Sequence, residues 1–127
     1  MNTPFKILVV DDEPDVLRFV AYRLKQKGYR VFTATNGQTA VKMAKEKHPD
    51  LIFLDIRLPL LDSYGVCRQI KLEQDLNNTA IVFSTADASV KIHEQTRVAG
   101  ADGYLLKPFE PEQLLEMVEW YEKTSSR

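Results

Sequence analysis

The sequence predicts a single α/β domain in which helices cover both faces of a five-stranded parallel sheet. Short apolar segments rich in β-branched residues alternate five times along the chain with longer amphipathic segments. The length of 127 residues is typical of one compact domain, and 44% hydrophobic with 28% charged residues is an ordinary globular composition. Because parallel neighbours need crossover connections, strands that alternate with helices predict a doubly wound (βα)5 sandwich.

The predicted strands are the five short apolar segments, each followed by a turn signal: Lys6–Val10, Tyr29–Ala34, Leu51–Leu54, Ala80–Ser84 and Gly103–Leu106. The first and fifth helices are indicated by apolar residues at the i, i+3, i+4, i+7 spacing, namely Leu17, Val20, Ala21 and Leu24, then Leu114, Met117, Val118 and Tyr121. We expect Gly28 to end the first helix and Pro111 to stand in the first turn of the fifth. Asn36 is expected to cap the second helix, which Pro49 closes.

The predicted fourth helix, roughly Ser89–Ala99, has the weakest apolar stripe. Its members, Ile92, Thr96 and Ala99, are small or separated by polar residues. We therefore expect this helix to be the least firmly docked of the five. The single domain is expected to span residues 1–127, with a core from about 5 to 122 and a frayed C-terminal tail at 123–127.

Charge and apolar run lengths exclude several classes of function. With 17 basic and 18 acidic residues the net charge is −1, which argues against direct nucleic-acid binding by this domain. The longest apolar runs, such as Ile7–Val10, are far shorter than the roughly 20 residues that span a bilayer, and the N-terminus has no signal-peptide core. The single cysteine, Cys67, is expected to pack in the core and is in keeping with a cytoplasmic location.

Polar side chains stand at the carboxyl ends of the predicted strands, where open parallel sheets bind their ligands. Asp11 and Asp12 follow the first strand, Asp55 the third, Thr85 the fourth and Lys107 the fifth. Three carboxylates in one cleft cost on the order of several kcal/mol unless a cation compensates, and oxygen ligands completed by water suit Mg²⁺. A carboxylate can take up a phosphoryl group as an acyl phosphate when cations neutralise the transferring oxygens.

The motifs around these residues resemble the receiver domains of two-component response regulators, the family that includes the chemotaxis response regulator. The resemblance covers Lys6 to about Trp120 and rests on Ile7–Pro14, on Asp55 with Pro59 and Asp62 four and seven residues later, on Thr85-Ala86, and on Gly100–Phe109. It implies the flavodoxin-like receiver fold with the sheet order 2-1-3-4-5, an order taken from the family and not worked out from this sequence.

The resemblance implies that Asp55 accepts a phosphoryl group from a phosphohistidine on a histidine kinase or histidine phosphotransfer protein. Asp12, Asp55 and the backbone carbonyl of Arg57 would bind Mg²⁺, or Mn²⁺ in its place, with Asp11 acting mainly through water. Lys107 would pair with the phosphoryl oxygens, and Thr85 would turn inward to hydrogen-bond them.

The family also implies how the signal leaves the site. Tyr104 would follow Thr85 from an exposed to a buried rotamer, and the face formed by the fourth helix, fifth strand and fifth helix would then control a partner or output domain. The chain would be a switch with slow self-dephosphorylation and not an enzyme. The Lys107–Pro108 peptide bond is expected to be cis.

Three departures from the family pattern stand out. Asp62 is followed by Ser63 where the family commonly has glycine, so we expect either strain at Ser63 or a turn that relaxes toward Gly65. Arg57 and Asp87 flank the expected path of the attacking water, and an ion pair between them would slow hydrolysis of the acyl phosphate. The fifth helix carries glutamates where DNA-binding response regulators often have basic residues for dimerisation: Glu112, Glu116 and Glu119.

Other functions are open at this point. A Mg²⁺-dependent phosphatase could use the same aspartyl nucleophile, but such enzymes place a second aspartate two residues later, where this chain has Arg57. A mononucleotide-binding module of flavodoxin type would need a glycine-rich phosphate loop that the sequence lacks. A receiver-like binding module that does not use phosphorylation is the third alternative. The sequence does not name the kinase, the pathway, the output partner or the oligomeric state, nor whether the chain is part of a longer protein.

Overall fold

Apolar strand segments and amphipathic helices alternate in the structure as they do in the sequence. A computed structural model of the chain describes residues 4–58, 62–86 and 89–124. The strands in these residues are β1 (Lys6–Val10), β2 (Arg30–Ala34), β3 (Leu51–Asp55), β4 (Ala80–Thr85) and β5 (Gly103–Leu106). The helices are α1 (Pro14–Gln26), α2 (Gly37–Lys47), α3 (Ser63–Leu72), α4 (Val90–Val98) and α5 (Pro111–Thr124), with a short 3-10 helix at Gln74–Leu76.

All five strands are parallel, and their order in the sheet is β2-β1-β3-β4-β5. This confirms the 2-1-3-4-5 order that the family resemblance implied. The strand order reverses between β1 and β3, which pair through Val9 and Phe53 among others. Ligands of such sheets bind beyond the carboxyl ends of the strands at this reversal, so the fold directs attention to the residues that follow β1 and β3.

The sheet separates two apolar cores because successive strand residues point to opposite faces. One core packs α2 and α3 against one face of the sheet through the buried residues Leu8, Ile52, Phe83, Ala40, Ala44, Val66, Cys67 and Ile70. The other packs α1 and α5 against the opposite face through Ile7, Phe53, Val82, Leu17, Val20, Leu24, Leu114 and Val118. The predicted stripes of the first and fifth helices therefore face the sheet, and Cys67 is a core residue as expected.

Most predicted boundaries agree with the structure to within a residue or two. Asn36 caps α2, since its side chain accepts a hydrogen bond from the Thr39 amide at 2.8 Å, and α5 begins at Pro111. Gly28, with φ +91°, lies just beyond the end of α1. The end of α2 differs slightly, because the chain leaves the helix at His48, in the left-handed region with φ 50°, one residue before Pro49.

α4 buries little of its surface, as its sequence predicts. Thr96 is the buried residue of this helix, Ile92 is half-buried, and Val90 and Val98 are 81% and 68% exposed. Ser89 caps the helix by accepting a hydrogen bond from the Ile92 amide. None of the helices described is long and apolar enough to cross a membrane.

Of the two alternatives expected at this turn, strain at Ser63 is not found. Ser63 is the first residue of α3, and Asp62 caps this helix by accepting a hydrogen bond from the Gly65 amide at 2.9 Å. Among the described residues, His48 is the non-glycine residue with a positive φ. An aspartate cap lets a serine follow with ordinary helical geometry, so no glycine is needed at this position.

Candidate functional site

The sheet brings the polar side chains predicted at the strand ends to one edge of the molecule. Asp11 and Asp12 directly follow β1, whereas Asp55 is the last residue of β3, the central strand. One carboxylate oxygen from each of these three residues lies within 4.8 Å of the other two. Asp11 and Asp55 are 2% and 5% exposed, and Asp12 is exposed. We call these three residues the acidic cluster.

Lys107 supplies the positive charge of this site. Its ammonium donates a hydrogen bond to Asp11 Oδ2 at 3.0 Å and lies 3.5 Å from Asp55 Oδ2. The side chain comes from the loop after β5, where the Lys107 amide donates to the Thr85 carbonyl at 2.7 Å and the Lys107–Pro108 peptide is cis, as expected. Burial works against the charged form, but the hydrogen bond to Asp11 and the two carboxylates outweigh it and raise the pKa of Lys107.

The Asp55 carboxyl is costly to ionise. Burial raises its pKa most, the hydrogen bond from the Arg57 amide to Asp55 Oδ1 at 3.1 Å works against that rise, and the neighbouring Asp11 charge adds to it. Asp11 is itself held by the Glu13 amide, which donates to its Oδ1 at 2.9 Å. Backbone amides hold these two carboxylates close to each other. A cation placed near both of them therefore offsets their mutual repulsion.

The donor set of the acidic cluster fits a hard divalent cation. Carboxylate oxygens are ligands that Mg²⁺ accepts, and Mg²⁺ keeps several of its waters when few protein ligands are available. Asp11 and Asp55 provide buried oxygens, while the exposed Asp12 marks the side on which water can complete the coordination shell. The residues present therefore match the magnesium site predicted from the strand ends.

The other predicted site residues lie around the acidic cluster or on its output side. Thr85 ends β4 and is 1% exposed, and Arg57 is exposed two residues after Asp55. Tyr104 lies on β5, half-buried, with its ring edge-on to that of His93 on α4 at 5.0 Å between centroids. Asp87 lies outside the described residues, so its predicted ion pair with Arg57 stays a prediction.

Two contacts near the site were not predicted. The Ser63 hydroxyl donates a hydrogen bond to the main-chain carbonyl of Asp55, and Ser63 is fully buried. Next to it, the Tyr64 hydroxyl donates to Gln95 Oε1 on α4 at 3.1 Å. The signal available in the sequence was a hydroxyl side chain where the family commonly has glycine, but it indicated backbone conformation and not a hydrogen bond.

Comparison with known proteins agrees with this geometry. The family model of the response regulator receiver domain matches residues 7–119. The chain belongs to this family. It is a receiver domain of the two-component response regulators, a phosphoacceptor module, and receiver domains bind Mg²⁺ at their acidic site.

Individual relatives show the same likeness. The probable transcriptional regulator ycf27 of Porphyridium aerugineum is 40% identical over 109 residues, which are 86% of this chain and 44% of that protein. The chain thus spans less than half the length of this relative. The chemotaxis response regulator CheY4 of Vibrio cholerae superposes with a TM-score of 0.89 at 29% identity, covering 94% of this chain and 99% of that one.

A third relative carries the metal. The receiver domain of the sensor histidine kinase PA1611 from Pseudomonas aeruginosa has a magnesium ion coordinated in its active-site cleft. Its TM-score is 0.88 at 31% identity, covering 96% of this chain and 100% of that one.

Proposed function

We propose that Asp55 is the phosphoacceptor of this receiver domain. The observation that carries the proposal is its central position. Asp55 ends the middle strand, with Asp11 and Asp12 on the β1 side, Thr85 on the β4 side and the Lys107 ammonium 3.5 Å from its carboxylate. A carboxylate that lies beside an acidic metal site and a fixed ammonium, with a threonine at the end of the next strand, is the one best placed to take up a phosphoryl group.

The proposed reaction is a transfer from a phosphohistidine of a histidine kinase or a histidine phosphotransfer protein. A carboxylate oxygen of Asp55 attacks phosphorus, the phosphorus–nitrogen bond breaks, and the donor histidine leaves with the electron pair of that bond. Bound Mg²⁺, or Mn²⁺ in its place, would offset the charge of the phosphoryl oxygens. Asp12, Asp55 and the Arg57 carbonyl would hold the ion directly, and Asp11 through water.

Lys107 and Thr85 would respond to the new group. The Lys107 ammonium stays charged beside Asp11 and Asp55, so it can pair with phosphoryl oxygens without a change of protonation. The Thr85 hydroxyl would turn toward the same oxygens, and Tyr104 would follow it inward. The face formed by α4, β5 and α5 would then change its affinity for a partner or output domain. Phosphorylation can shift such an equilibrium only by its difference in interaction free energy between the two states.

We propose that the product of phosphorylation is a binding signal and that self-dephosphorylation is slow. Arg57 and Asp87 would modulate it by screening the acyl phosphate from water. The relatives that are named transcriptional regulators are about twice as long as this chain, so an output domain or a separate partner would carry the response. We expect no direct contact of this domain with nucleic acid or a membrane, and a cytoplasmic location stays a prediction.

The test is phosphorylation with a small donor, followed by intact mass. Wild type incubated with acetyl phosphate and Mg²⁺ should gain one phosphoryl group, and Asp55→Asn should gain none. Asp75→Asn, which changes an exposed aspartate of the 3-10 helix, is the matched control and should behave as wild type. A phosphoryl group that still forms on Asp55→Asn would show that another residue is the acceptor. Binding of beryllofluoride with Mg²⁺, followed by gel filtration, reports in addition whether the chain changes its oligomeric state.

A further inference from the structure

The first turn of α3 is attached to the end of β3 by a buried side chain. The Ser63 hydroxyl donates to the main-chain carbonyl of Asp55, and the residue is fully buried. Asp62 caps the same turn by accepting from the Gly65 amide at 2.9 Å, so the backbone that carries Ser63 is itself held in place. The hydroxyl therefore links a capped helix terminus to the residue at the end of the central strand.

Asp55 is held by its neighbours on both sides of this carbonyl. The Arg57 amide donates to Asp55 Oδ1 at 3.1 Å, and the Ile56 amide donates to the Ser84 carbonyl of β4 at 3.0 Å. The peptide between Asp55 and Ile56 carries the carbonyl that Ser63 holds. If this peptide rotated, the Ile56 amide would turn away from the Ser84 carbonyl, and the Arg57 amide would be displaced from the Asp55 carboxylate to which it donates. A buried carbonyl that loses its donor is unfavourable, so the hydroxyl selects one orientation of this peptide.

We propose that Ser63 is a positioning residue for phosphoryl transfer. Its hydroxyl fixes the Asp55–Ile56 peptide and so directs the Asp55 carboxylate toward Lys107 and the rest of the acidic cluster. This proposal rests on the proposed function, because it requires Asp55 to be the acceptor. A glycine at position 63, as the family commonly has after this aspartate, has no hydroxyl to donate, so the anchor depends on the serine that this chain carries.

The first test uses metal-free protein and amide hydrogen exchange. The Ile52 amide in the middle of β3 serves as the internal reference. In EDTA, Ser63→Ala and Ser63→Gly should increase the exchange rate of the Arg57 amide, relative to that of the Ile52 amide, about ten-fold. The matched control is Thr79→Val. It removes another buried hydrogen bond from a hydroxyl to a carbonyl, from Thr79 Oγ1 to the Pro49 carbonyl at 2.8 Å. This bond lies at the amino-terminal ends of the strands, away from the acidic cluster. In this control the exchange rate of the Arg57 amide relative to that of the Ile52 amide should stay at the wild-type value.

The second test measures phosphorylation by acetyl phosphate with Mg²⁺. At saturating donor, Ser63→Ala should be about ten-fold slower than wild type, with less than a two-fold change in the half-saturating donor concentration, because small misplacement of a reacting atom acts on the chemical step. Thr79→Val should keep the wild-type rate. If Ser63→Ala fails to fold, Ser63→Gly carries the same comparison.

The outcomes separate this proposal from the proposed function. Wild-type rate and wild-type relative exchange in the Ser63 variants would overturn the positioning role, as would an equal slowing in Thr79→Val. Neither result affects Asp55 as acceptor if Asp55→Asn still blocks phosphorylation. A phosphoryl group on Asp55→Asn would instead overturn both.

Discussion

Replacing Asp55 with asparagine should stabilise the metal-free protein. Oxygens of the acidic cluster lie within 4.8 Å of one another, so Asp11 and Asp12 each repel Asp55 by at least about 3.5 kcal/mol at an effective dielectric constant of about 20. The Lys107 ammonium, 3.5 Å from Asp55, attracts it by about 4.7 kcal/mol on the same scale. Repulsion exceeds attraction by roughly 2 kcal/mol. The exposed Asp12 is partly screened, but burial also disfavours the charge of Asp55, so we expect a gain of about 1–2 kcal/mol in the free energy of unfolding at pH 7.

At saturating Mg²⁺, wild type should instead be more stable than Asp55→Asn. A ligand at one hundred times its dissociation constant stabilises the folded state by about 2.7 kcal/mol, and the asparagine variant, with one carboxylate fewer, gains less of it. Asparagine keeps the shape of the side chain, and its carbonyl oxygen can still accept from the Arg57 amide. The difference between the two proteins therefore reports charge and metal binding and not packing.

Urea unfolding in EDTA and at saturating Mg²⁺, followed by far-UV circular dichroism and by the fluorescence of Trp120, measures both effects. The matched control is Asp75→Asn, whose side chain is 83% exposed, and it should change stability by less than about 0.5 kcal/mol in either condition. A variant less stable than wild type in EDTA would refute the repulsion argument. A stability difference that is the same with and without Mg²⁺ would refute the metal site.

Further outcomes follow from individual features of the structure. Lys107→Met should lower the free energy of unfolding in EDTA by about 2–3 kcal/mol, because it leaves buried carboxylates without their cation; an unchanged urea midpoint would contradict this. Asn36→Ala should cost about 1 kcal/mol in the same assay through loss of the α2 cap, and a change below about 0.3 kcal/mol would count against it. Burial raises the pKa of the Cys67 thiol to about 11, so iodoacetamide at pH 8 should modify it only after unfolding, as mass spectrometry can show; fast reaction of the folded protein would contradict the burial. Because this pKa is higher in the folded than in the unfolded state, the thiol's contribution to stability is complete below about pH 9 and is lost as pH rises toward 11. Amides of α4 should exchange fastest among the five helices in NMR, and slower exchange there than in α2 would show that the helix is docked more firmly than its burial indicates.

The features that the sequence predicts well are those set by local pattern. Strand and helix periodicity follows from which side chains face the sheet, so the stripe from Leu17 to Leu24 could be identified without a structure. The Asn36 cap could be identified for the same reason, since it joins groups three residues apart. Polar residues after apolar strands placed the acidic cluster correctly, because parallel strands end at a common edge.

The exact strand ends and the contacts between elements could not be read in this way. Asp55 and Thr85 each extend a strand by one residue, because the backbone ladder continues where the side chains turn polar, as the Ile56 amide bound to the Ser84 carbonyl shows. The bond from Ser63 to Asp55 spans eight residues and depends on how α3 returns to the sheet. That path is set by the packing of α3 against the sheet and leaves no periodic signal in the sequence.

Two tyrosines connect α4 to the elements that lie next to the site. It buries Thr96, but Gln95 accepts a hydrogen bond from Tyr64 of α3, and His93 meets the ring of Tyr104 on β5. Tyr64 directly follows the serine that holds Asp55. A helix that buries little apolar surface has a small docking free energy. Small changes in such contacts can therefore shift its position. We therefore expect a rearrangement of a few kcal/mol at the end of β3 to act on α4 before it acts on α2 or α5, whose apolar stripes are buried.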